Sequence, residues 1–101
     1  MSYGQAANKI LQEPGVELST MMKTSCIRYK GEFLAMMFDK EEALIIKVLP
    51  GRVNELINEG TGKEFNLSKK RFKESVLIPK QYEHEYESYL FEALEYAKEK
   101  N

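Results

Sequence analysis

The chain has 101 residues, 43% of them hydrophobic and 31% charged, with a formal net charge of −1. These values exclude a disordered chain and fit one globular domain over residues 1–101, and the near-zero charge removes any global attraction to nucleic acid or membrane. A single cysteine excludes an intrachain disulfide and fits a reducing cytoplasm, and no apolar run approaches the roughly 20 residues that span a bilayer.

The N-terminal residues MSYGQAANKILQ are mixed and polar, without the basic-then-apolar order of a signal peptide. Tyr3, Ala6, Ala7, Ile10 and Leu11 recur at helical spacing and predict a first helix over 2–13, ended by Pro14-Gly15. Val16 and Leu18 lead through an extended segment into a first strand over 21–29, which carries the β-formers Thr24, Ile27 and Tyr29. Lys30-Gly31 supplies a tight turn, since glycine tolerates positive φ.

The stretch 32–50, EFLAMMFDKEEALIIKVLP, holds two apolar runs around the polar tetrad 39–42. Both runs are short and flanked by turn signals, which predicts an antiparallel hairpin at the centre of the core. Alternation puts Phe33, Ala35 and Met37 on one face and Leu34, Met36 and Phe38 on the other. Leu44, Ile46 and Val48 share a face, and Ile45, Lys47 and Leu49 share the opposite one, broken by a charge. The sheet is therefore expected to have one well-buried face and one partly covered face. Ile45, Lys47 and Leu49 mark where a protein partner or a second subunit would sit.

Pro50 suits the first position of a second helix, followed by Val53, Leu56 and Ile57 and ended by Gly60. After a turn at Thr61-Gly62, Phe65 and Leu67 alternate with polar neighbours in a half-buried strand. Ser68-Lys69-Lys70 turns, and a last strand over 71–78 closes at Pro79. Tyr82, Tyr86, Tyr89, Leu90, Ala93, Leu94 and Ala97 form the apolar stripe of a last helix over 82–98, with Glu83, Glu85 and Glu87 near its positive end. The predicted order is α-β-β-β-α-β-β-α. It describes an α+β domain with a five-stranded antiparallel sheet and three helices.

Charge is unevenly spread. Residues 63–80 carry a net +4 and residues 81–101 a net −4, blocks that could neutralise one another when packed. The segment Lys69, Lys70, Arg71 and Lys73, with Phe72 among them, combines cations with an aromatic at a hairpin tip. It is the nucleic-acid candidate, although so few phosphate contacts would bind weakly at physiological salt.

Other residues point away from catalysis. Gly60-x-Gly62 follows a helix and precedes a strand, the reverse of a dinucleotide loop, and reads as a cap and a turn. His84 is the sole histidine and reads as solvated, which excludes a histidine-based metal cluster. Cys26 sits on a strand with no evident base and reads as structural. Met21, Met22, Met36 and Met37 read as flexible core filling, or alternatively as an adaptable apolar groove. Tyr82, Tyr86, Tyr89 and Tyr96 are an aromatic-rich set on one helix, and most of them read as packing residues with hydroxyls at the rim. With no acid–base pair, metal set or activated nucleophile, the expectation is a protein that is not an enzyme and needs no cofactor or metal.

Four segments in order resemble the TfoX N-terminal domain family. Residues 27–35, IRYKGEFLA, are similar to its first hairpin. Residues 44–57, LIIKVLPGRVNELI, are similar to its strand-to-helix step ending "Arg-Val-x-Glu-Leu". Gly60-Thr61-Gly62-Lys63-Glu64-Phe65 resembles its "Gly-x-Gly-x-x-Phe" turn, and Phe72-Lys73-Glu74-Ser75-Val76 with Pro79 resembles its "Met-Lys-Glu-Trp-Val…Pro" strand. The resemblance covers about residues 16–97. It implies the same α-β-β-β-α-β-β-α layout, as one curved antiparallel sheet backed by helices. For function it implies little beyond a regulatory or interaction role, since TfoX-like proteins include competence regulators and the related YjbR group is described as DNA-binding on structural analogy.

Overall fold

The structure, a computed structural model, describes residues 3–21, 24–38, 42–67 and 70–100. The elements in chain order are α1 (Tyr3–Ile10), β1 (Val16–Met21), β2 (Thr24–Tyr29), β3 (Glu32–Phe38), β4 (Ala43–Lys47), α2 (Pro50–Glu59), β5 (Lys63–Leu67), β6 (Lys70–Pro79), a 3-10 turn (Lys80–Glu85) and α3 (Tyr86–Lys100). The strands form one antiparallel sheet in the order β1-β2-β3-β4-β6-β5.

The sheet has six strands where chain order and the family resemblance both implied five. The extra strand is β1, which lies in the segment expected only to lead into the sheet. It pairs with β2 without interruption, from Val16↔Tyr29 to Met21↔Thr24. Val16 and Leu18 alternate with Glu17 and Ser19, the period-2 pattern of a strand, so the signal was present but short. Gly15 makes the entry possible. Its φ is +86°, and a Cβ there would lie 2.7 Å from Cε1 of Tyr29. The Gly15 carbonyl accepts the Lys30 N–H at 2.9 Å and locks the start of the hairpin.

All three helices pack on one face. Ala6 and Ile10 of α1, Val53 and Leu56 of α2, and Tyr86, Leu90 and Leu94 of α3 meet Ile27, Ala35, Leu44, Ile46, Val76 and Ile78 of the sheet. Pro50 opens α2 as expected, and Gly60 closes it in the left-handed conformation with its N–H on the Ile57 carbonyl. The last helix starts later than the periodicity predicts, because 80–85 is a 3-10 turn in which Tyr82 has non-helical angles. Tyr86 explains the tight link. Its ring is fully buried and its hydroxyl donates to the Ile78 carbonyl at 3.0 Å, tying the helix start to the end of β6. That hydroxyl is therefore deep in the core and not at the rim.

Simple alternation fails within β3. Ile27 pairs with Ala35 and Arg28 with Phe33, so Leu34 is an extra residue, a β-bulge. Side-chain parity flips there. Leu34 joins Ala35 on the helix-backed face, and Phe33 packs with Met36 on the other.

Candidate functional site

The expected docking face is closed. Cys26, Met36, Ala43, Ile45, Phe65 and Leu77 form a second core on the side away from the helices, with Phe33 and Phe38 packed against it. Ile45 is 1% exposed. The cover comes from the sheet itself. The rings of Phe38 on β3 and Phe65 on β5 meet edge-to-face with centroids 5.8 Å apart. Three strand spacings separate those strands, roughly 14 Å in a flat sheet, so the sheet curls toward this face for the rings to touch. The curl has a local source. Between Glu64↔Val76 and Asn66↔Arg71, one residue of β5 faces four of β6, an irregularity that bends the strand pair. The sheet does not close, and β1 and β5 remain its edges.

The three residues expected to act together are therefore separated. Ile45 is core, and Lys47 is half-buried opposite Ser75. Leu49 lies past the end of β4. It precedes proline, which restricts it to extended angles, here φ −54° and ψ 141°, and its carbonyl accepts the Val53 N–H at 2.9 Å. This geometry turns the side chain out of the sheet, and it is 54% exposed.

Leu49 stands at the mouth of an open cleft of about 160 Å³ between α2 and α3, lined also by Val48, Arg52, Glu92, Glu95, Tyr96 and Glu99. The Arg52 Nε donates to Glu92 Oε2 at 2.7 Å, and its second nitrogen lies 3.2 Å from Glu55 Oε1. The bond to Glu92 raises the Arg52 pKa above its ordinary range, against the effect of burial and with help from Glu55. That pair ties the start of α2 to the middle of α3 and fixes one wall. Tyr96 forms the other wall, its hydroxyl donating to the Glu74 carboxylate. Glu95 and Glu99 are exposed on the rim, and among the described residues Glu95 makes a long contact to Lys98 at 3.9 Å. The cleft thus has an apolar floor and an acidic rim.

Sequence reasoning singled out Leu49 and named Tyr96 as a packing residue, but not Glu92, Glu95 or Glu99 on α3. The signal was available, because positions 92, 95, 96 and 99 follow the spacing of three and four that shares one helix face. It was hidden because glutamates on a helix usually only solvate it.

The basic segment is partly in view. Lys69 lies outside the described residues, and Lys70 and Arg71 are described through their backbone, paired with Leu67 and Asn66. Lys73 is exposed. The ion pairs described for α3 run to Lys9, Arg52 and Lys98, not to this segment. His84 is exposed, 3.7 Å from Glu85 Oε2. Cys26 is fully buried in the second core. Met36 and Met37 split across the two faces, as alternation predicts, while Met22 lies outside the described residues. Among the described residues, no group of His, Cys, Asp and Glu is placed to hold a metal, and no helix is long and apolar enough to cross a membrane. No protein-family model, curated protein or solved structure matches the chain.

Proposed function

We propose that this chain is a non-enzymatic interaction module of the regulatory, TfoX-like kind, working in the reducing cytoplasm and binding a protein partner through the α2–α3 cleft. One observation carries the reading: Leu49 is 54% exposed at the mouth of a cleft whose rim is acidic. An exposed aliphatic side chain beside an apolar floor is the kind of anchor that dominates binding energy, and the glutamates select its flanking charge. The partner is a segment that presents an apolar residue next to lysine or arginine.

Affinity capture with the wild-type chain, Leu49→Asp and Glu95→Lys tests this. The wild type should retain a protein that Leu49→Asp weakens at least about tenfold, and Glu95→Lys should weaken it further as salt falls. A partner held equally by all three would sink the assignment.

A second reading assigns weak nucleic-acid binding to Lys69, Lys70, Arg71 and Lys73, and the exposure of Lys73 on β6 favours it. Gel-shift titrations at low and moderate salt, with Lys70→Glu and Arg71→Glu, decide between the two. Binding that falls with salt and with those changes supports this second reading, and binding indifferent to both removes it.

A further inference from the structure

The edge strand β1 carries an inference that does not depend on Leu49. Strand β1 ends the sheet on one side, with β2 as its only neighbour among the described residues. The direction of its free backbone groups follows from one bond. Because the Gly15 carbonyl accepts from Lys30, that group faces β2, and N–H and C=O groups then alternate residue by residue. Glu17, Ser19 and Met21 face β2. Val16, Leu18 and Thr20 point outward. The Val16 N–H is already taken by the Glu13 carbonyl at 3.2 Å. Among the described residues, no strand pairs with the Val16 carbonyl or with either backbone group of Leu18 and Thr20. Leu18 is also 60% exposed, more than any other large hydrophobic residue described.

Edges are normally blunted by lysine, proline, a bulge or a cover. The other edge, β5, carries Lys63 and an irregular register. Strand β1 reads VELSTM, with a single charge and unbroken pairing to β2.

We propose that β1 pairs antiparallel with β1 of a second copy across a two-fold axis at Leu18, joining two sheets into one. The edge is self-complementary in that register. The two Leu18 residues exchange N–H···O=C bonds and bury their side chains against each other. Each Thr20 N–H reaches the Val16 carbonyl of the second copy, the acceptor still free. On the other face Glu17 lies opposite Ser19 of the second copy, whose hydroxyl can donate to it, and the two Glu17 carboxylates stay apart. A register shifted toward Glu17 would bring those like charges together. A six-residue edge covers far less than the roughly 800 Å² per partner of a stable interface. The dimer is therefore weak and concentration-dependent.

Sedimentation equilibrium of the full chain, from low to high micromolar, should show a monomer–dimer transition. Leu18→Lys should raise the dissociation constant at least tenfold with an unchanged unfolding midpoint. Thr20→Pro removes the outward N–H at an edge position that tolerates proline and should do the same. If that variant unfolds, Leu18→Lys decides alone. Leu49→Asp should leave the transition in place, which separates this surface from the cleft. A strict monomer at every concentration overturns the proposal. So does a dimer indifferent to Leu18→Lys, or one lost with Leu49→Asp.

Discussion

Two rows of side chains cross the sheet one residue apart, on opposite faces. Ile27, Ala35, Ile46 and Val76 run under the helices, and Cys26, Met36, Ile45 and Leu77 run on the other side. Both rows are buried. The first is sealed by a second layer, with Leu90, Leu94, Ala6, Val53 and Leu56 laid over it. The second is sealed by curvature and by the rings of Phe33, Phe38 and Phe65. An apolar sheet face without a helix is therefore not by itself a docking face. Among the described residues, the exposed large hydrophobic side chains lie at the margins, Leu18 on an edge and Leu49 beyond a strand end.

The helix-backed side should be the more demanding of the two. Leu90 is fully buried in α3 at the centre of that layer, so Leu90→Ala should lower stability by about 2–5 kcal/mol, measured by urea unfolding. A loss near zero would mean that the layer can collapse, and the contrast between the faces would vanish.

Alkaline pH probes the same side through Tyr86. Burial pushes its hydroxyl up to about 12, from the ordinary value of 10.0. In the range between those values the folded state holds the proton and the unfolded state releases it, so stability must fall as pH rises. The contribution is complete below 10 and gone by the folded value, an effect on the order of 2–3 kcal/mol. Burial also raises Tyr89, with the same sign. Tyr86→Phe should flatten most of that alkaline slope, and a slope unchanged in Tyr86→Phe would place the effect elsewhere.

Much of the scaffold could be seen in the sequence because it depends on local patterning. The 3.6-residue stripes located the helices, Lys30-Gly31 and Pro50 marked their turn and helix start, and Gly60 its cap. What stayed hidden depends on contacts distant in sequence. The bulge at Leu34 arises only when β2 and β3 pair, and it reverses the assignment of Phe33 and Leu34. The burial of Ile45 depends on a ring from β5 meeting one from β3. The cleft around Leu49 needs α3 to come beside the β4–α2 junction, and no spacing within α3 reveals what lies opposite it. Alternation in a strand fixes which side a residue takes, but not whether the fold later covers that side.

That last point can be tested where the two faces differ most, at the ring pair. If Phe38 and Phe65 seal the second core by touching, then Phe38→Ala and Phe65→Ala should each destabilise. The double variant should lose less than the sum of the two. A coupling of about 0.5–1.5 kcal/mol is expected for an edge-to-face pair. Each single variant should also bind a hydrophobic dye, because removing either ring uncovers part of the second core. Zero coupling with no dye binding would mean that the rings act independently and that the sheet stays shut by other means. Zero coupling with strong dye binding already in the wild type would mean that the sheet opens in solution. Ile45 would then return as a surface residue, and the face away from the helices would again compete with Leu49 as the place where a partner sits.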